Sequence, residues 1–174
     1  VKIAVDSKTQ YVSVCNAAET FLVHKEIAGQ LLPVLNKALK AKGVNVKGCA
    51  RTKKIIGDIE DAVEKDWKTE YLDYIISIKI VDTIDDAIDH INTYGSGHTD
   101  AIITLDNGSA RKFRELVDTA NVMVNCSTRF SDGYRYGFGA EVGVSTNKIH
   151  ARGPVGLDGL VIYKYIVEGD SHIV

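Results

Sequence analysis

The chain has 174 residues, 45% hydrophobic and 25% charged, with a formal net charge of −2 and a pI near 6.2. That length allows one domain with a sizeable core, and the composition is ordinary for a soluble globular protein. It offers no basic excess for nucleic acid, no basic amphipathic helix for a membrane surface, no apolar run of membrane-spanning length and no signal peptide, so a cytoplasmic protein is expected.

From the N-terminus, residues 1–5 and 11–14 read as a β-rich lead-in to Cys15, which sits on a small-residue turn ready to open a helix. Residues 21–24 read as a short buried strand. Ile27, Ala28, Leu31, Leu32, Leu35, Ala38 and Leu39 then recur at helical spacing, with Pro33 predicting a kink or a fresh start near Leu32. A strand is expected at 45–50, a helical turn at 51–57 and an acidic helix at 58–67. The alternating, β-branched run 74–81 predicts a strand. Thr83-Ile84-Asp85-Asp86 is an N-cap with acidic first-turn residues. A strand at 101–105, a helix at 107–120 and a strand at 121–125 follow. This alternation implies right-handed crossovers and an α/β fold: a three-layer αβα domain with a mostly parallel sheet. Residues 127–154, rich in Gly, Tyr, Phe and Arg, form a long irregular stretch of the kind that carries function or wraps another domain. Residues 160–167 alternate again and predict a strand that pairs within the sheet or adds to a neighbour's edge.

The three cysteines, Cys15, Cys49 and Cys126, show neither CxxC nor zinc spacing, so reduced thiols and no metal site are expected. A thiol at a helix N-terminus meets unpaired N–H groups and the positive end of the dipole, which favour the thiolate and build a covalent nucleophile. The competing reading of Cys15 is a small buried packing residue. Cys49 and Cys126 lack such context and read as packing residues. Arg129 could fork onto a carboxylate or a phosphate, or anchor its loop through an ion pair, with Ser127 and Thr128 adding hydroxyls. Glu141 reads as an ion-pair partner of Arg129 or Arg135, and His98 as a helix-end dipole and loop contact.

Three stretches carry a resemblance. They are Val14-Cys15-Asn16-Ala17-Ala18-Glu19-Thr20-Phe21-Leu22-Val23-His24; Val81-Asp82-Thr83-Ile84-Asp85-Asp86-Ala87-Ile88-Asp89-His90-Ile91-Asn92-Thr93-Tyr94-Gly95-Ser96-Gly97-His98-Thr99-Asp100-Ala101-Ile102; and Val124-Asn125-Cys126-Ser127-Thr128-Arg129-Phe130 with Gly139-Ala140-Glu141-Val142-Gly143-Val144-Ser145-Thr146 and Ala151-Arg152-Gly153-Pro154-Val155-Gly156-Leu157. In this order they resemble γ-glutamyl phosphate reductase (glutamate-5-semialdehyde dehydrogenase), a family of the aldehyde dehydrogenase superfamily.

The resemblance implies NADPH-dependent reduction of L-glutamyl 5-phosphate to L-glutamate 5-semialdehyde with release of phosphate, a step of proline biosynthesis. It makes Cys15 the nucleophile that forms a thioester. Asn16 is a candidate beside the backbone N–H of Cys15 for the oxyanion, or simply a cap of the turn. Glu70, in Thr69-Glu70-Tyr71, falls where the superfamily places a glutamate on the nicotinamide ribose, and Ser127, Thr128 and Arg129 are the substrate-binding candidates. The expected division is a catalytic domain at 1–128, a return segment toward a cofactor domain at 129–157 and an oligomerisation strand at 158–174. A homo-oligomer is expected, with glutamate 5-kinase as a candidate partner enzyme. Because the chain begins at Val1, shortly before the nucleophile, it reads as a piece of something longer that is inactive without its cofactor domain. The alternatives are a non-catalytic α/β assembly module and an acyl-reducing relative with another substrate.

Overall fold

The computed structural model describes residues 1–145 and 147–174; Thr146, within the third stretch of resemblance, lies outside the described residues. The chain opens with helix α1 (Lys2–Thr9), where a strand was expected. The misleading signal is Val1, Ile3 and Val5, which alternate like a strand. The buried face is instead Ser7 and Lys8, with Ala4 one turn earlier and packed on the core. Polar residues at helical spacing leave no apolar period to read.

Strand β1 (Thr20–His24), helix α2 (Lys25–Lys40), strand β2 (Asn45–Gly48), helix α3 (Ala50–Ile56), strand β3 (Glu60–Asp61) and strand β4 (Ile75–Val81) follow. They form a four-stranded sheet in the order β1-β4-β2-β3 with every pairing parallel; Phe21 lies opposite Ile78 and Val46 opposite Ile76. Helix α2 is a single element through Pro33. The bond that Pro33 cannot donate would have gone to the Gly29 carbonyl, and both residues face solvent, where water replaces it. Its inner face (Ala28, Leu32, Leu35, Leu39) packs on Val23, Val46, Ile76, Ile78 and Ile80 to make the main core. Truncating one of these leucines to alanine costs about 2–5 kcal/mol.

The acidic stretch does not form the expected helix: only β3 and a 3₁₀ turn (Glu64–Lys68) are present. The Asp66 carboxylate accepts from the Val63 N–H at 2.7 Å, from Lys47 Nζ at 3.0 Å and from the Tyr71 hydroxyl at 2.8 Å, which ties the segment to β2 instead of to a helix.

Helix α4 (Ile84–Tyr94) starts on the expected cap: Thr83 Oγ1 accepts from the Asp86 N–H, and Asp86 Oδ2 accepts from the Thr83 N–H. Strand β5 (Thr99–Ile102), helix α5 (Asn107–Leu116) and strand β6 (Asn121–Val124) complete the α/β part, with β5 and β6 parallel. Ile88, Phe113 and Val117 form a second core with Ile84, Ile91, Ile102 and Val122. A small antiparallel pair, β7 (Val142–Val144) with β8 (Gly153–Val155), and the short helix α6 (Leu157–Leu160) follow.

The strand expected at 160–167 does not form. Residues 161–174 are exposed and make no ladder among the described residues. Apolar residues line both alternating faces of this run, so it reads as a strand, but no sheet edge of the chain receives it. No helix among the described residues is long and apolar enough to cross a membrane.

Candidate active site

Cys15 sits in a turn between α1 and β1, closed by a bond from the Ala17 N–H to the Val14 carbonyl at 3.0 Å, and the chain runs on into a strand. No helix begins there, so the dipole expected to ionise the thiol is absent. The loop is held at both ends instead. Lys8, fully buried, pairs with Glu19 at 2.6 Å; the Ala18 N–H reaches the Ser7 carbonyl at 2.9 Å; and the other Glu19 oxygen accepts from the Leu72 N–H at 3.2 Å. Seven residues before Cys15 and four after it are thus clamped to one another.

Cys15 is exposed as a residue, but its sulfur turns inward against β7: a Cβ added to Gly143 would lie 3.4 Å from Sγ. Desolvation there, then the Glu141 and Glu70 carboxylates, push the thiol up, outweighing its own backbone N–H and Arg129. The thiol is therefore harder to ionise than an ordinary cysteine, opposite to the direction expected from a helix N-terminus.

His98 is the neighbour that sequence reasoning did not bring to this site. It follows the Gly97 turn (φ 70°) into β5, is only 2% exposed, and its Nε2 would lie 3.5 Å from the same Gly143 Cβ. Nε2 is buried without a partner among the described residues. Nδ1 meets Thr99 Oγ1 at 2.8 Å, and the Thr99 hydroxyl donates onward to Ser131 Oγ at 2.8 Å. Burial lowers the imidazole pKa against the opposing pull of Glu141 and Glu70. The only sequence cue was adjacency to a Gly-Ser-Gly turn, which says nothing of what lies across it. Among the described residues Glu141 makes neither expected ion pair; Oε2 accepts from the Gly133 N–H at 2.9 Å, and its charge bears on Cys15.

The other expected residues converge nearby. Asn16 is buried: Nδ2 donates to the Ser131 carbonyl at 2.6 Å, and Oδ1 accepts from Arg129 Nη1. Arg129 Nε donates to Gln10 Oε1 at 3.0 Å, while Nη2 has no partner among the described residues. Ser127 Oγ accepts from Ser7 Oγ at 3.1 Å and from the Arg129 N–H at 3.2 Å, so it anchors the 3₁₀ turn Thr128–Phe130 to α1. Thr128 Oγ1 is buried and unpartnered among the described residues. Glu70 is exposed, makes no hydrogen bond among the described residues, and is close enough for its charge to act on both Cys15 and His98.

The covering segment is fixed from the far side. Arg152 Nη2 donates to the Gly97 carbonyl at 3.1 Å and Nη1 to Asp118 at 3.2 Å, while Asn121 Nδ2 donates to the His98 carbonyl at 3.1 Å. Two open clefts elsewhere, one beside Arg111 and Arg114 of α5 and one beside Lys79 and His90, contain none of the residues expected at the site.

This arrangement offers a thiol for acylation: an exposed cysteine, an imidazole nitrogen close by without a partner among the described residues, and a guanidinium with a free donor. The Aldehyde dehydrogenase family model matches residues 55–140. A γ-glutamyl phosphate reductase of Acetivibrio thermocellus is 64% identical over 174 residues, 100% of this chain and 40% of that protein. The crystal structure of a γ-glutamyl phosphate reductase from Thermotoga maritima superposes with a TM-score of 0.91 at 49% identity, covering 100% of this chain and 42% of that one. An acetylating aldehyde dehydrogenase from Geobacillus thermoglucosidasius, 18% identical with a TM-score of 0.63 over 99% of this chain and 48% of that one, shares the fold. The chain thus spans about 40% of the length of the curated relatives it matches. By sequence and by fold, along its whole length, the chain is similar to these two γ-glutamyl phosphate reductases.

Proposed function

We propose that this chain carries the nucleophile-bearing part of an NADPH-dependent reductase that converts L-glutamyl 5-phosphate to L-glutamate 5-semialdehyde and phosphate, in proline biosynthesis. The observation that carries the reading is the placement of the Cys15 sulfur beside the space over Gly143, with Arg129 close enough for its charge to act on it. Cys15 attacks the acyl carbon, phosphate leaves, and the acyl group is held as a thioester. The Cys15 N–H and the remaining amide hydrogen of Asn16 are the oxyanion donors within reach of the turn. Arg129 offers Nη2 to the substrate carboxylate or the departing phosphate. Ser127 fixes the backbone of that turn, and the Thr128 hydroxyl is a further donor.

The cofactor fits what the chain presents. Glu70 is an exposed carboxylate with no hydrogen bond among the described residues, suited to accept from ribose hydroxyls near Cys15. When bound, NADPH supplies the hydride that reduces the thioester. The division into a catalytic domain at 1–128, a return segment at 129–157 and an oligomerisation segment at 158–174 belongs to the same reading. So do a homo-oligomer, a cytoplasmic location, and association with glutamate 5-kinase, which would supply the acyl phosphate.

The test is NADP-dependent oxidation of glutamate 5-semialdehyde in phosphate by the full-length protein. Cys15→Ala is expected to lower the rate at least ~10³-fold. Activity near wild type in that variant would reject the mechanism.

A further inference from the structure

We infer that His98 Nε2 is the base that takes the proton from Cys15 as the sulfur attacks, and that it returns this proton to the departing phosphate. The inference deepens the reading of Cys15 as the acyl acceptor and rests on it. Three observations carry it. Nε2 and Sγ both lie close to one point over Gly143, where a Cβ would stand, at 3.5 and 3.4 Å. Nε2 is a buried polar atom of a residue only 2% exposed, with no partner among the described residues, and a buried nitrogen left unpaired is costly unless something uses it.

The third observation is the tautomer. The Thr99 hydroxyl donates to Ser131 Oγ, so its own oxygen is free to accept from His98 Nδ1–H. The proton is thereby held on Nδ1, and Nε2 keeps a lone pair that no donor among the described residues takes. The groups acting on the pair are Glu141 before β7, Glu70 after the 3₁₀ turn, and Arg129. The two carboxylates raise the thiol and so create the need for a base, and they stabilise the imidazolium that forms.

The step balances. The S–H bond breaks and its proton goes to Nε2; the S–C bond forms; the C–O bond to phosphorus breaks; the proton passes from Nε2 to the phosphate oxygen. The products are thioester, hydrogen phosphate and neutral imidazole. Sγ and Nε2 are not hydrogen-bonded in the resting chain, so transfer needs rotation of the thiol or one bridging water.

The test uses the full-length protein and 4-nitrophenyl acetate without cofactor, with the nitrophenolate burst read by absorbance and the acetyl group located by peptide mass spectrometry. In wild type the burst rate is expected to rise to a plateau below pH 7 and stay level until the thiol itself ionises. His98→Asn is expected to lose the plateau, with a rate at pH 7 reduced about 100-fold or more. A wild-type profile that climbs continuously through pH 9 would overturn the inference without reference to any variant. So would a His98→Asn protein with the wild-type profile. Failure of the parent reading looks different: Cys15→Ala would then give a wild-type burst.

Discussion

A thiol raised by desolvation and by two carboxylates has to shed its proton before it attacks, and both carboxylates can be removed one at a time. Glu141→Gln keeps an oxygen for the Gly133 N–H but removes the charge. The Cys15 thiol then ionises at lower pH, and iodoacetamide labelling of Cys15 at pH 7 is expected to become severalfold faster; a slower rate would show that Glu141 does not act on the sulfur as described. Gly143 offers a second handle. A methyl there would touch both Sγ and Nε2 and occupy the point they share. Gly143→Ala is expected to leave the melting temperature unchanged while kcat/KM of the full-length protein falls at least tenfold, and unchanged kinetics would place the acyl group elsewhere. The run of neighbours around Cys15 singles it out in the sequence, but the helix start expected there is not what the structure places beside it. The helix dipole is missing, and His98, more than eighty residues away in sequence, is brought beside it only by the β5 turn and the β7 cover.

At the level of elements, α2, α4, α5 and the strands β1, β2, β4, β5 and β6 were legible from their apolar and β-branched residues, whereas β3, whose two residues are exposed and acidic, and β7 and β8, inside the stretch that reads as irregular, were not. Helix α1 was not, because what it buries is Ser7 and Lys8. Those two residues are what lock the Cys15 loop, through the Ser127 hydroxyl and the Glu19 carboxylate. Removing one member of a buried pair leaves the other charge uncompensated, so Glu19→Ala is expected to destabilise the protein by about 3 kcal/mol in urea denaturation. A cost below about 1 kcal/mol would mean that the loop is held by its backbone bonds alone. The 3₁₀ turn has its own pH signature. Burial raises the Asp66 carboxyl, but the Val63 N–H, Lys47 and the Tyr71 hydroxyl outweigh it and hold it below the usual carboxylate range. A carboxylate depressed by folding contributes stability that is fully present above its unfolded value, about 3.9, and is lost as pH falls through the folded value. Asp66→Asn is therefore expected to flatten stability between about pH 5 and 3, measured by thermal melts across that range; an unchanged acid slope would contradict the assignment.

For the molecule as a whole, residues 161–174 present Ile162, Tyr163, Tyr165, Ile166 and Val167 to solvent on both faces of an unpaired run. The alternation in the sequence was real, but a strand needs an edge, and among the described residues this run pairs with none. Under the proposed reading that edge belongs to another copy. Deleting 161–174 from the full-length protein is expected to convert an oligomer to a monomer in light scattering, and an unchanged mass would remove the segment from the interface. Under the same reading the 174 residues supply Glu70 for the nicotinamide end of the cofactor but no glycine-rich phosphate cradle among the elements described, so calorimetry on this chain alone is expected to show no micromolar NADPH binding. The proposal that Cys15 holds the acyl group is tested most directly by trapping. Full-length protein mixed with glutamate 5-semialdehyde and NADP in phosphate-free buffer, then acid-quenched, should carry a hydroxylamine-labile glutamyl mass on the peptide containing Cys15. The same adduct found on the peptides of Cys49 or Cys126 instead would contradict it.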